Sequence, residues 1–147
     1  MSNKLYRIFS VSALIFAMAL IFYMSHQNGE ESSASSGSFR LFLETVLHLK
    51  INEGILRTAA HFCEYIFLGL LTVNCFYALT CRLKPFGSVA FAAAYAVSDE
   101  IHQIFIPGRA FQFFDLGVDT AGIIAGVFLF SLTIFLFIKI RGRKRSK

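Results

Sequence analysis

The polar residues of this chain are bunched, and the apolar stretches between them are long enough to decide its class. Apolar runs occupy about residues 5–24, 59–81, 86–106 and 116–140. A helix rising about 1.5 Å per residue needs roughly 20 mostly apolar residues to cross a bilayer, so each run predicts one spanning helix. Lys4 precedes the first run and Arg7 lies in its first turn. A cleaved leader shares that basic start, but its apolar core is usually about 7 to 15 residues and ends in small residues before the cut. Phe22-Tyr23-Met24 is a poor cleavage context, and the first run is expected to stay as an anchor.

The stretch between the first two runs divides in two. Ser25 to Ser38 is polar and serine-rich, the composition of a solvated loop. Phe39, Phe42, Leu43, Val46 and Leu47 then recur at helical spacing opposite Arg40, Glu44, Thr45 and His48. That pattern predicts a short amphipathic helix in the outer membrane interface. The expected fold is therefore all-α: one polytopic domain over residues 1–147, a four-helix transmembrane bundle with one extracytoplasmic amphipathic helix.

Composition agrees. The 147 residues are 56% hydrophobic and 16% charged, with a mean hydropathy of +0.62, too apolar for an ordinary soluble domain. The formal charge of +5 would suggest nucleic acid if the cations lined one soluble face. They cap the apolar runs instead, so no nucleic-acid partner is expected. Lys4 and Arg7, Arg82 and Lys84, and the six cations from Lys139 onward make ten of the fourteen basic residues, in segments without an acid. The positive-inside rule puts that side, with both termini and the basic tail 141–147, in the cytoplasm. Segments 25–58 and 107–115 then face outward. Of the three cysteines, Cys75 and Cys81 are the closest pair at roughly 9 Å along a helix, beyond disulfide reach, and all three read as small apolar fillers.

The candidate chemistry lies in the exceptions to the hydrophobic pattern. Arg57, His61, Glu64 and Tyr65 fall on one face of the second helix, and Tyr95, Asp99, His102 and Gln103 on one face of the third, with Glu100 turned about 100° away. On the fourth, Asp115 and Asp119 share a face with Gly122 and Gly126, a small-residue pair that admits a neighbouring helix. Glu64, Asp99 and Asp119 lie roughly 8, 10 and 5 Å from the outer ends of their helices, in one slice of the membrane. An ionised acid at bilayer centre costs about 2.5 to 3.5 kcal/mol and less toward the interface. The economical arrangement is one inward-facing polar pocket. Pro107 ends the third helix, Gly108 permits a turn, and Arg109 is set beside the carboxylates. It can neutralise Asp99, Asp115 or Asp119, or clamp an anionic ligand such as a phosphate.

These residues resemble the VanZ-like family of bacterial membrane proteins. The match lies in Ser25-His26-Gln27 with the serine-rich loop, Arg57 with His61-Phe62-Cys63-Glu64-Tyr65, Asp99-Glu100-Ile101-His102-Gln103, Pro107-Gly108-Arg109, and Asp115 with Asp119 and Gly122, covering about residues 25–126. The family pattern generally has Asn at the position of Asp119, so this chain adds an ionisable group there. The resemblance implies a place in the cell envelope and an association with low-level resistance to the glycopeptide teicoplanin, achieved without replacing the peptidoglycan precursor terminus.

Two functions of different kinds fit. One is a non-enzymatic protein of the cytoplasmic membrane whose outward-facing pocket binds a membrane lipid, or an amphiphilic or lipid-linked molecule, lipoglycopeptides included. The other is a metal-assisted hydrolase or transferase acting on a lipid-linked substrate, because His61-x-x-Glu64 and Asp99-x-x-His102 are i, i+3 pairs of the types that hold divalent metals in bundles. Glu64, Asp99 and His102 would then serve the acid–base chemistry. No nucleophile elbow, zinc-protease motif or phosphate loop accompanies them. Proton-coupled transport ranks last, since Leu70–Leu79 and Val127–Phe137 contain no ionisable groups beyond Cys75 and Tyr77.

Overall fold

A computed structural model describes residues 3–27, Thr45, His48 and residues 52–145. The expected amphipathic helix about residues 39–48 lies, apart from Thr45 and His48, outside the described residues. Their regular structure is all helical, without strands, in four helices: α1 (Lys4–Ser25), α2 (Glu53–Thr80), α3 (Pro85–Gln103) and α4 (Phe113–Arg145). Three contain stretches long and apolar enough to cross a membrane, Lys4–Ser25, Gly54–Thr80 and Phe113–Arg141. The 19-residue α3 is not in that set, because Asp99, Glu100, His102 and Gln103 crowd its last turns. Large side chains such as Phe9, Phe86 and Phe135 are 60% exposed or more, the outward apolar surface expected of helices solvated by lipid.

Local chemistry explains the boundaries. Asn3 accepts from the Leu5 amide at 3.1 Å and opens α1. Asn52 accepts from the Gly54 amide at 2.8 Å, so α2 starts six residues before the apolar run at 59 and takes in Arg57. Such caps occupy amides that have no partner inside the helix. Pro85, at the first position of α3, gives up only an amide that would be orphaned anyway. Helix α3 stops at Gln103, short of the expected 106, and passes through turns to Gly108, whose φ of 75° suits glycine.

Helices α2 and α4 share the most extensive interface, and they run parallel: Phe62 meets Gly122, and Ile66 meets Gly126. A Cβ on Gly122 would stand 2.6 Å from the Phe62 carbonyl oxygen, one on Gly69 would stand 2.5 Å from that of Ile123, and one on Gly126 would collide with that of Ile66. Backbone therefore lies against backbone, the contact through which helices gain van der Waals energy where lipid removes the hydrophobic incentive. Around this pair α1 packs chiefly on α2, and α3 on both α2 and α4. Tyr65, Leu68, Val73, Ala92, Ala96 and Ile123 form the fully buried centre.

Polar bonds fasten α1 at both ends. The Tyr6 hydroxyl donates to Asn74 Oδ1 at 2.5 Å, and Asn74 Nδ2 donates to Ser10 Oγ at 3.1 Å. Nearer the other end, the Tyr95 hydroxyl donates to the Met18 carbonyl at 2.6 Å.

Gly126→Ala is expected to lower the thermal midpoint in detergent, at a cost of about 1 to 3 kcal/mol from overpacking. Gly117→Ala, whose new Cβ meets nothing within 4 Å, is expected to hold or raise it through helix propensity of up to about 1 kcal/mol. Equal midpoints for the two variants would contradict the backbone contact.

Candidate functional site

The end of α1, the first turns of α2 and α4, and the end of α3 meet at one end of the bundle, and most of the polar side chains collect there. Asp99 is the hub. Its Oδ2 accepts from the Ser25 hydroxyl at 2.7 Å and the Tyr65 hydroxyl at 3.3 Å, with Gln103 Nε2 of its own helix at 3.5 Å. One carboxylate thereby links α1, α2 and α3. Asp99 is 3% exposed, and Tyr65 and Gln103 are buried with it. Helical spacing accounts for the set: Gln103 lies one turn beyond Asp99, and Tyr65 projects from the centre of α2 into the interior.

A second group joins α2 to α4. His61 Nδ1 is 3.4 Å from Asp119 Oδ1, an ion-pair distance without hydrogen-bond geometry. Asp119 is fully buried and Asp115 nearly so. Glu64 lies within electrostatic reach of His61, Asp119, Asp99 and Arg109, and Asp115 within reach of His61, Glu100 and Asp119. The close approach of α2 at Gly122 sets how near these side chains come.

Glu100, turned from Asp99 on the helical wheel, is nevertheless fully buried. Its Oε2 accepts from the Gln112 amide at 3.0 Å, so it holds the connection between α3 and α4 instead of facing the Tyr65–Asp99 pair. That connection delivers Arg109, whose Nη2 reaches the Met24 carbonyl at 3.5 Å. Burial, and then the charge of Arg57, hold Arg109 below its ordinary pKa, against the pull of Asp99, Glu100 and Glu64. Arg57 and Arg109 are thus neighbours in one electrostatic field.

His102 takes a different neighbourhood. Its Nε2 lies 3.2 Å from His26 Nδ1, and its ring stacks on Phe22 at 4.5 Å between centroids. Phe22 and His26 also stack, at 6.1 Å. His102 therefore joins α3 to α1, and the Asp99-x-x-His102 pair is drawn to two different partners. Among the described residues, no group of three or more His, Cys, Asp or Glu side chains is placed to hold a metal ion. Ser25, His26, Phe22 and Gln112 were not among the candidate site residues, although Ser25 and His26 belong to the family-like pattern. The available signal was that Ser25 and His26 end α1 on the same side as the C-terminal end of α3.

Several buried polar atoms at this end have no hydrogen-bond partner among the described residues: Asp99 Oδ1, Glu100 Oε1, both Asp119 carboxylate oxygens, His61 Nδ1 and Arg109 Nε. They include acceptors on three carboxylates and one guanidinium donor. Such a set is matched by a group carrying both hydrogen-bond donors and an anion. Beside it, on the outer flank of α2 and α4, runs an apolar groove of about 770 Å³.

A helical membrane-type bundle with a buried polar junction is the class defined here. The VanZ/LLP1 family model matches residues 10–137, and the chain belongs to that family. No curated protein and no solved structure gives a match.

Ser25→Ala and Tyr65→Phe each remove one donor to the same Asp99 oxygen. Each is expected to cost about 1 to 3 kcal/mol, and the double variant to depart from additivity by about 0.5 kcal/mol or more. Unfolding in detergent followed by circular dichroism gives the cycle. Tyr6→Phe, at the opposite end, should add independently to either one.

Proposed function

We propose that this protein binds the headgroup of an anionic amphiphile or lipid-linked molecule at the polar junction, without catalysing a reaction. The observation that carries this reading is the set of unpartnered buried atoms of both kinds, carboxylate oxygens of Asp99, Glu100 and Asp119 beside Arg109 Nε. Each unmet group costs about 1 to 3 kcal/mol, and charged groups more. A headgroup whose hydroxyl or amine groups donate to the carboxylates, and whose phosphate or carboxylate accepts from Arg109, meets both needs. Guanidinium geometry favours phosphate. Arg57 adds a second positive charge, while Glu64, Tyr65, His61, His102, Gln103 and Asp115 complete the surround.

The setting is the bacterial cytoplasmic membrane, with α3 as a fourth span and both termini in the cytoplasm. Lys4, Arg7, Arg82, Lys84 and the cations from Lys139 onward supply the positive side. The junction then opens outward, where cell-wall precursors and glycopeptide drugs are met. A lipoglycopeptide is itself an amphiphile with many donors, so the teicoplanin resistance associated with the family fits a ligand of this chemistry.

Native mass spectrometry of the detergent-solubilised protein with phosphatidylglycerol tests the site. Arg109→Ala should weaken retention by roughly tenfold or more, the size of one hydrogen bond to a charged group, while the circular dichroism spectrum is unchanged. Retention equal to that of the parent chain would overturn the reading. Topology is tested separately in a chain with Cys63 and Cys75 replaced by alanine. A membrane-impermeant maleimide should label a cysteine placed at Ser35 in intact cells, and Cys81 only after permeabilisation.

A further inference from the structure

The apolar groove beside the polar junction has walls drawn from the helices that supply its charged groups. Asn52, Gly54, Ile55, Thr58, Ala59 and Phe62 of α2 and its cap face Phe114, Val118 and Ala121 of α4 across about 770 Å³. The register is regular. Thr58 follows Arg57, Phe62 follows His61, Phe114 precedes Asp115 and Val118 precedes Asp119. Adjacent residues on a helix point about 100° apart, so polar junction and groove are neighbouring faces of one helix pair.

Among the described residues the lining contains no charge. The Asn52 side chain is already engaged in capping Gly54 at 2.8 Å, and the small residues Gly54, Ala59 and Ala121 leave the space open. The walls belong to the stretches Gly54–Thr80 and Phe113–Arg141, which are apolar enough to lie in hydrocarbon. Ile55 and Phe114 are both about two-thirds exposed, at 65% and 67%, so the groove opens sideways to the surrounding medium. In that medium the matching partner is a hydrocarbon chain. A volume of this size falls in the usual range of small-molecule sites.

We propose that the groove seats one acyl chain of the amphiphile whose headgroup occupies the polar junction, so that ligands are selected by a chain attached next to an anionic group. The assignment rests on the headgroup reading above for the identity of the ligand, but the chain site has its own geometry. Transfer of a chain from bilayer to groove brings no hydrophobic gain, because both are apolar. The groove therefore acts through packing and alignment, holding the headgroup over Arg57 and Arg109.

The test uses the full chain in phosphatidylcholine nanodiscs containing phosphatidylglycerol with a diazirine on one acyl chain. After irradiation, adducts are mapped by peptide mass spectrometry. Labelling is expected to be enriched at Ile55, Phe62, Phe114 and Val118 over the lipid-exposed residues Phe128 and Phe135 of α4. Ala121→Phe and Ala59→Leu, both at exposed positions that fill the groove, should each lower groove labelling by about threefold, the scale of a single contact in lipid, while labelling at Phe135 persists and shows that the variant has folded. Uniform labelling of groove and Phe135 face would overturn the proposal, as would groove labelling that neither variant changes. A groove free of adducts, covered by another part of the chain, would overturn it too. Arg109→Ala separates the two readings: with a chain site but no headgroup site, it leaves groove labelling intact while Ala121→Phe still lowers it.

Discussion

A carboxylate buried among helices must find hydrogen-bond donors within the protein, since the hydrocarbon around it offers none. Asp99 meets that requirement by drawing Ser25 from α1 and Tyr65 from α2 onto one oxygen, and three helices are thereby held in a single register. The other acids are placed by the same rule. Glu100 is tied to a loop amide, and Asp119 sits beside an imidazole. Among the described residues the rule is not fully met at the second oxygen of Asp99 or at either oxygen of Asp119, which make no hydrogen bond.

The glycines make this junction geometrically available. Because Gly69, Gly122 and Gly126 let α2 and α4 touch along their backbones, His61 and Asp119 lie opposite each other with no large side chain between. The same narrow separation places the cations and carboxylates within one field, so the charge of Arg109 is felt by Asp99, Glu100 and Glu64 alike. Packing and electrostatics thus have one origin, the absence of side chains on one stripe of α4 and at one position of α2.

Much of this was legible in the order of residues. Runs of apolar side chains marked the three strongly hydrophobic helices, and depth combined with helical spacing put Tyr65, Asp99 and Gln103 on facing surfaces. The Gly122 and Gly126 pair announced a close approach, although nothing singled out Gly69, whose role depends on where Ile123 falls across the interface. The start of α2 was set too late because Glu53 and Arg57 broke the hydrophobic run, although Asn52 carries a capping signal. Glu100 was harder to place. Its partner is a backbone amide of Gln112, and a main-chain donor leaves no trace in side-chain pattern. Ser25 and His26 read as the first residues of a loop, because a hydroxyl and an imidazole after an apolar run look the same whether they face water or a neighbouring acid.

The distribution of charge among the helices has a consequence for biogenesis. Helix α1 carries hydroxyls but no acid, so it can leave the translocon alone and wait in the bilayer at little cost. Helix α3 cannot, since two adjacent carboxylates near its end would meet lipid unshielded. On the proposed four-span topology it would emerge against α1 and α2 already in place, with its other flank bare until α4 has been synthesised. On that topology the helix with two adjacent carboxylates would set the order of assembly.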